Sequence, residues 1–314
     1  MSKSSIIADQ DTPRGFAFAL AAYLLWGFLP FYMKAVGHIP AVEVVAHRVI
    51  WSVPIAAVVL IWLGRTHDIR AALRSPRTMG MALITAALIT INWGIYVWSI
   101  GAGRAVETAL GYYINPLFSI FLGAVLLKER LDGRQIAAIL LAVAAVGLLA
   151  LESGGLPWVS VGLALTWGFY AFFKKSLPVG PNQGFFLEVL ILTIPAVGYV
   201  AYAEFNGIGH FGGTGMTDVA LLLGCGLVTA VPLMIYANGA KLLRLSTIGI
   251  MQYIAPTMIF FIAVFIFKEP FGPYKLAAFV LIWIALAIYT SSLLRSRKAR
   301  LAAAAATAAT LTSG

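Results

Sequence analysis

Long uncharged stretches alternate with short charged segments along the whole chain. Asp, Glu, Lys and Arg are absent from ten stretches, which cover residues 15–33, 49–64, 78–103, 108–127, 135–151, 153–173, 189–203, 219–240, 245–267 and 276–294. Most of them approach or exceed the roughly 20 residues with which a helix crosses the hydrocarbon layer of a membrane. The second and seventh are shorter, because Glu43, Arg48 and Glu188 interrupt them. The pattern predicts an all-α integral membrane protein with ten transmembrane helices.

The two halves of the chain are copies of each other. Tyr113-Ile114-Asn115-Pro116 precedes Lys128-Glu129 at the interval at which Tyr253-Ile254-Ala255-Pro256 precedes Lys268-Glu269, with an offset of 140 residues. Trp26-Gly27-Phe28 matches Trp167-Gly168-Phe169 at an offset of 141. Each copy holds five spans, so the second copy enters the membrane from the opposite side. Two inverted five-helix repeats are therefore expected, an arrangement typical of membrane transporters.

Composition agrees with this class of protein. Hydrophobic residues make up 61% and charged residues 11% of the chain, against roughly 45–50% and 25% in soluble domains. The excess apolar surface needs lipid to contact. Cys225 is the only cysteine, which excludes an internal disulfide. The N-terminus shows no cleavable signal peptide, so the first span is expected to act as an uncleaved insertion signal.

Lysine and arginine residues are distributed unequally between the two sides of the membrane. The ten spans place only Lys34, Arg104, Lys268 and Lys275 on one side. They place seventeen on the other side: Lys3, Arg14, Arg65, Arg70, Arg74, Arg77, Lys128, Arg130, Arg134, Lys174, Lys175, Lys241, Arg244, Arg295, Arg297, Lys298 and Arg300. Positively charged loops stay in the cytoplasm, so both termini are expected there.

The same asymmetry accounts for the net charge of +10 without a nucleic-acid partner, since no basic domain stands outside the membrane. The expected organisation is a cytoplasmic tail at 1–13, a first repeat at 14–152, a second repeat at 153–294 and a basic, Ala/Thr-rich cytoplasmic tail at 295–314. Ala302–Gly314 is expected to be disordered.

Several kinds of chemistry are excluded by what the chain lacks. It has no phosphate-binding glycine loop, and its connections of at most about a dozen residues are too short to fold outside the membrane. The four histidines are scattered, so neither a metal site nor a cofactor is expected. All five aspartates are expected in loops or the N-terminal tail, away from the paired intramembrane carboxylates of a lipid transferase. No ring of like charges or filter sequence indicates an ion channel.

Proline and aromatic residues in the middle of spans indicate an internal cavity. Pro116 and Pro256 each lack an amide hydrogen and free the carbonyl four residues earlier, at Tyr112 and Gln252. A kink fixed by neighbouring helices is the alternative to a cavity-facing hinge. Polar and aromatic side chains at similar depths are candidates to line a pocket for amphipathic or aromatic solutes, although interhelical hydrogen bonding would also explain each one. They are Tyr23, Trp26, Asn92, Tyr96, Tyr112, Tyr113, Asn115, Trp167, Tyr236, Asn238, Gln252 and Tyr253.

Ionisable residues inside the spans are candidates for substrate binding and for proton coupling. A charge at the bilayer centre costs at least roughly 2.5–3.5 kcal/mol, so Arg48 is expected to face the interior with a partner. Glu43 and His47 share a helical face, and Glu188 stands where the repeat places the counterpart of Glu43. Either carboxylate is a candidate to carry a proton or to hold Arg48, with a structural ion pair, or for Glu43 an outer interfacial position, as the alternative. Lys128-Glu129 and Lys268-Glu269 are expected at helix ends, where their side chains are solvated or snorkel to the membrane interface.

The sequence resembles the RarD family, a group of EamA-type permeases in the drug/metabolite transporter superfamily. The matching motifs are Glu43-Val-Val-Ala-His47-Arg48-Val-Ile-Trp51-Ser52, Ile91-Asn92-Trp93, Leu110-Gly111-Tyr112-Tyr113-Ile114-Asn115-Pro116 and Gln252-Tyr253-Ile254-Ala255-Pro256-Thr257. The resemblance covers residues 15–294. It implies the drug/metabolite transporter fold in a bacterial inner membrane, with a central cavity lined by the first four helices of each repeat. It also implies a link to chloramphenicol sensitivity.

Together these features predict a secondary transporter rather than an enzyme. The expected mechanism is alternating access of one central site, with export as the direction and protons as the candidate coupling ion. The partners expected are a small amphipathic or aromatic solute and the lipid bilayer, and oligomeric state is left open. The alternative is a membrane-embedded enzyme that acts on a lipid-linked substrate.

Overall fold

The structure is a computed structural model that describes residues 11–126, 128, 131–240, 242–243 and 245–312. Within these residues all regular secondary structure is helical. The helices are α1 (Pro13–Ala35), α2 (Ala41–Trp62), α3 (His67–Leu73), α4 (Pro76–Gly101), α5 (Ala105–Leu126), α6 (Gly133–Ser153), α7 (Trp158–Ser176), α8 (Pro181–Phe205), α9 (Met216–Ala240), α10 (Leu245–Met251), α11 (Ile254–Phe261) and α12 (Pro273–Thr312). A short π-helix, Ile262–Ile266, continues α11. Residues 1–10 of the N-terminal tail, Leu127, Glu129, Arg130, Lys241, Arg244 and residues 313–314 lie outside the described residues.

The helices follow the ten spans expected from the sequence. Within the described residues, nine are long and apolar enough to cross a membrane, counting α10, α11 and the π-helix as one span. The tenth expected span is α7, whose Trp, Tyr and terminal Lys residues lower its mean hydropathy. Large apolar side chains such as Trp62, Ile194 and Phe205 are more than four-fifths exposed, as expected for helices that face lipid.

Charged residues do not shorten the helices of the second and seventh spans, which are α2 and α8. α2 includes Glu43 and Arg48 within 22 residues, and α8 includes Glu188 within 25. Two aspartates are in helices rather than loops, since Asp68 is in α3 and Asp218 is in the first turn of α9. The carboxylate of Asp218 accepts a hydrogen bond from His38.

The ninth span is broken where the sequence predicted a kink. α10 ends at Met251 and α11 begins at Ile254, so Pro256 lies in the first turn of a new helix. A proline there removes no intrahelical hydrogen bond, because the first amides of a helix have no carbonyl partner within it. α5, by contrast, continues through Pro116. The hinge role of both prolines stays a prediction.

Contacts divide the chain into two compact units, which interleave the two repeats. The first contains residues 1–115 and 158–270. Within it α1 packs against α9, α4 against α7, and α2 against both α8 and α9. Exchanging the repeats converts the α1–α9 pair into the α7–α4 pair and maps the α2–α8 pair onto itself. The packing therefore has the internal symmetry that the duplicated sequence requires.

The second unit contains residues 116–157 and 271–314, with α6 packed along α12. Asp132 and Gln135 form a capping box at the start of α6, and Gly154 ends that helix in the left-handed conformation. Hydrogen bonds from Ser292 and the Gln135 amide hold the pKa of the Asp132 carboxyl below its usual value. The disorder expected for Ala302–Gly314 is wrong as far as Thr312, because α12 continues to that residue. The C-terminal part of α12 is rich in alanine, which has the highest helix propensity of all residue types.

The lysine-glutamate motif has a structural role that the sequence did not indicate. Lys128 and Lys268 have φ angles of 54° and 56°, and among the described residues they are the non-glycine positions with positive φ. Glu269 is not merely solvated, because its carboxylate accepts hydrogen bonds from the amides of Ala105 and Val106 at 2.8 and 2.9 Å. It thereby caps the N-terminus of α5, where the helix dipole favours a negative charge.

Candidate functional site

A cavity of about 150 Å³ lies inside the first unit. Helices from both repeats contribute to its wall, and the lining combines aromatic rings, amides, aliphatic side chains and one arginine. The lining residues are Tyr23, Trp26, Leu29, Arg48, Asn92, Trp93, Tyr96, Tyr112, Asn115, Trp167, Thr229, Leu233, Tyr236, Gln252, Ala255, Pro256 and Ile259. A volume of this size accommodates a solute of about one aromatic ring.

Of the thirteen candidates named from the sequence, Arg48 and twelve polar or aromatic residues, ten lie together around this cavity. Tyr253 and Tyr113 do not line it, and their rings stack on each other at a centroid distance of 6.2 Å. Gln252 and Tyr253 are neighbours at the break between α10 and α11, so their side chains point in different directions. Asn238 does not line the cavity either, and its amide donates to the Met234 carbonyl one turn earlier. Substrate binding by the ten remains a prediction.

Two aromatic clusters in the wall are related by the repeat. In the first, the rings of Tyr23, Trp26 and Tyr236 have centroids 5.4–5.7 Å apart. In the second, Tyr112 lies 6.0 Å from Tyr96 and 6.4 Å from Trp167. Trp26 corresponds to Trp167 and Tyr96 to Tyr236 in the sequence repeat. The cavity residues of α1, Tyr23, Trp26 and Leu29, recur every three positions, which places them on one face of that helix.

Arg48 is the positive charge of the cavity. Its side chain is buried, and its Nε donates a hydrogen bond to Thr229 Oγ1 at 2.9 Å. The guanidinium carbon lies 4.8 Å from the centroid of the Trp93 ring, and Nη1 has no hydrogen-bond partner. The sequence predicted a carboxylate as one possible partner of Arg48. The partners found are a neutral hydroxyl and an aromatic face.

Glu188 is held by Lys174 rather than by Arg48. The Lys174 ammonium lies 2.6 Å from Glu188 Oε1, and the Tyr170 hydroxyl donates to Oε2 at 3.3 Å. Glu188 is 1% exposed and the Lys174 side chain 19%. This buried ion pair joins α7 to α8 at the end of the bundle where α7 finishes and α8 begins.

Glu43 is held by His210 rather than by His47. One carboxylate oxygen accepts from the His210 amide at 2.6 Å, and the other lies 2.8 Å from His210 Nδ1. His47 instead accepts a hydrogen bond from the Trp51 indole through Nδ1, and its ring stacks on Phe211. His210 was not singled out from the sequence, because a histidine in a loop has no spacing that relates it to α2.

Polar groups in the wall differ in their availability to a ligand. The Asn92 amide donates to the Leu163 carbonyl at 3.2 Å and to Thr166 at 2.9 Å, so the interhelical role weighed from the sequence holds for it. The Tyr96 hydroxyl, in contrast, is buried without a hydrogen-bond partner. Buried polar groups are normally paired, so this hydroxyl is a candidate ligand contact.

The sequence reasoning missed Leu29, Trp93, Thr229, Leu233, Ala255 and Ile259. Thr229 was detectable in principle as a hydroxyl within an apolar span. The aliphatic members had no signal, because an apolar residue in a membrane helix gives no indication of whether it faces lipid, protein or a cavity. No group of three or more His, Cys, Asp or Glu residues that could hold a metal ion occurs in the part of the chain that the structure describes.

Comparison with known proteins identifies relatives over nearly the whole chain. Residues 13–151 match the model of the EamA-like transporter family. A protein named RarD from Streptomyces exfoliatus is 39% identical over 303 residues, which is 96% of each chain. RarD of Escherichia coli K12 is 36% identical over 89% of this chain and 95% of its own. A Pseudomonas aeruginosa protein named chloramphenicol-sensitive protein RarD is 29% identical over 91% of this chain and 97% of its own.

A solved structure, titled only as the crystal structure of a protein, has a similar fold. It aligns with a TM-score of 0.58 over 90% of this chain and 98% of its own. At 18% identity the similarity supports the fold alone.

Proposed function

Since this chain belongs to the RarD family of EamA-type permeases, we propose that it is a secondary transporter of small amphipathic or aromatic solutes that works by alternating access. Relatives named as transporters show that it is a multi-pass bacterial membrane permease. Its solute class, transport mechanism, direction of transport and coupling ion are the content of the proposal.

The observation that carries the proposal is the cavity built from both repeats. Its wall places repeat-related aromatic rings beside a buried arginine, which suits a solute with an apolar body and a polar group. Aromatic and polar side chains of this kind would be poor neighbours for bare lipid. Sites of secondary transporters commonly lie at the interface between inverted repeats, near the middle of the membrane.

Two buried carboxylate pairs, one near the start of α2 and one near the start of α8, suit the two gates of an alternating-access cycle. Glu43 and its partner His210 lie near the start of α2, and Glu188 and its partner Lys174 lie near the start of α8. Because α2 and α8 are repeat counterparts, inversion places their starts on opposite sides of the membrane. We propose that opening one gate loosens one pair while the other stays closed, with Pro116 and Pro256 as hinges.

The proposed direction is export, and the proposed coupling ion is the proton. Glu188 supports coupling because it is buried beside a cation, so protonation of its carboxylate would release Lys174. Glu43 offers an equivalent carboxylate beside His210, and His47 lies one turn away from it. One relative is named a chloramphenicol-sensitive protein, which agrees with an aromatic solute of modest size.

The charge distribution supports a location in the bacterial inner membrane with both termini in the cytoplasm. This orientation puts the loop between α8 and α9 outside the cell and α3 inside. In a Cys225→Ser background, Gly213→Cys should therefore react with an impermeant maleimide added to intact cells, and Arg65→Cys should react only after lysis. Labelling of Arg65→Cys in intact cells would overturn the orientation.

Uptake by proteoliposomes that contain the purified protein tests the proposed function. A carrier gives an initial rate that saturates with solute concentration, and the solute is recovered chemically unchanged. A rate that rises linearly without a limit would indicate a pore. Conversion of a lipid-linked substrate by the protein in detergent, without net flux, would favour the membrane-embedded enzyme instead.

A further inference from the structure

The cavity contains a buried cation that no carboxylate of the described residues neutralises. Arg48 is 3% exposed, and among the described residues the only hydrogen bond of its guanidinium goes to the neutral hydroxyl of Thr229. Burying such a charge in a membrane costs at least roughly 2.5–3.5 kcal/mol unless another group compensates it. Arginine stays protonated at any physiological pH, so loss of its proton does not relieve this cost.

The membrane-embedded carboxylates of the described chain have other partners. Glu43 is paired with His210, Glu188 with Lys174, and Glu107 with Arg104. None of the ion pairs found among the described residues includes Arg48. A compensating negative charge would therefore have to come from the solute.

We infer that Arg48 is an anion-binding residue and that the solute carries a carboxylate beside an apolar or aromatic body. This inference rests on the proposed function and names the substrate class of the same site. The free Nη1 supplies a donor, and a guanidinium matches the geometry of a carboxylate. The Tyr96 hydroxyl, also without a partner, is a second donor in the wall.

Two contacts position the guanidinium of Arg48 in the cavity wall. The Trp93 ring below the guanidinium gives a cation–π contact, and Thr229 fixes Nε. These two contacts fix the orientation of the guanidinium while leaving Nη1 free. The rings of Tyr23, Trp26 and Tyr236 line the same cavity and provide the apolar surface for the body of the solute.

The test compares two probes of nearly the same size and shape, one a carboxylate and one neutral. Binding of 3-phenylpropanoate and of its neutral amide, 3-phenylpropanamide, is measured by titration calorimetry on the purified protein in detergent. The wild type should bind the carboxylate at least about tenfold more tightly, a difference of about 1.4 kcal/mol. In Arg48→Gln the ratio of the two affinities should fall to about one. Arg48→Lys keeps the charge but loses the planar fork, so an intermediate ratio is expected.

Arg104→Gln is the matched control, because Arg104 is paired with Glu107 and does not line the cavity. It should keep the wild-type ratio. If Arg48→Gln does not fold, the reduced ratio in Arg48→Lys decides. Equal affinity of the wild type for both probes, an unchanged ratio in the folded variants, or no binding of the carboxylate at millimolar concentration would each overturn the inference.

The outcome is separable from that of the flux assay. Binding is measured without a membrane gradient, so a carboxylate preference that depends on Arg48 stands even if no flux is found. Conversely, saturable flux of neutral solutes alone would uphold the transporter and overturn the anion site.

Discussion

Replacing Lys174 by Ala should lower the free energy of unfolding by about 3–5 kcal/mol, the cost of breaking a buried ion pair by removing one partner. The Glu188 carboxylate is 1% exposed and has Lys174 at 2.6 Å. Without the ammonium, the Tyr170 hydroxyl at 3.3 Å would be the only remaining hydrogen-bond partner of this carboxylate among the described residues. The measurement is chemical denaturation of the purified protein in mixed micelles.

Glu188→Gln should be less damaging than Lys174→Ala. The Lys174 side chain is 19% exposed and lies in the last turn of α7. Its ammonium can therefore reach water, and the negative end of the helix dipole stabilises it. The double variant Lys174→Met, Glu188→Leu should recover most of the stability, because apolar replacement removes both charges together.

Lys34→Ala is a suitable control, since Lys34 is exposed and should change stability by less than about 1 kcal/mol. A Lys174→Ala protein as stable as this control would contradict the importance of the pair. The same Glu188→Gln protein tests proton coupling. If it transports at the wild-type rate across an imposed pH gradient, Glu188 does not carry the coupling proton.

Gly226→Ala should disturb both stability and the cavity, because the backbone of α2 lies directly against this glycine of α9. A Cβ atom at position 226 would lie 2.4 Å from the backbone carbonyl carbon and oxygen of Trp51. Backbone atoms cannot rotate away, so the two helices would have to separate. Overpacking of this kind typically costs about 1–3 kcal/mol.

The site should change as well, because Thr229 lies one turn after Gly226 and Arg48 one turn before Trp51. Separating the helices there lengthens the hydrogen bond from Arg48 Nε to Thr229. The temperature of thermal unfolding in detergent and the affinity for solute should therefore both decrease. Gly94→Ala is the matched control, since a Cβ atom there meets nothing within 4 Å. If Gly226→Ala and Gly94→Ala had the same thermal stability and the same solute affinity, the close packing of α2 and α9 at Gly226 would be contradicted.

The sequence was sufficient to predict the spans and much of the cavity, because both depend on patterns that repeat. Charge-free stretches indicated the helices, and α7 was identified although its apolarity is low. Trp26 and Trp167 were placed in the site by the duplication, since each lies near the middle of equivalent helices.

Partner identity was not predictable, because it depends on packing between distant segments. Glu43 meets a loop histidine 167 residues later, and nothing in the spacing of His210 indicates that contact. Lys174 was counted from the sequence only as one of many charges on the expected cytoplasmic side. Its contact with Glu188 was not predicted. The capping of α5 by Glu269 likewise requires the folded chain.

In the proposed mechanism, one cavity is exposed alternately to the two sides of the membrane. Solute counterflow in proteoliposomes tests this exchange: vesicles are loaded with unlabelled solute and diluted into a trace of labelled solute, without an ion gradient. An alternating-access carrier should accumulate label transiently above its external concentration, and Trp26→Ala should weaken that overshoot. Label that only equilibrates, whatever the internal load, would contradict the claim.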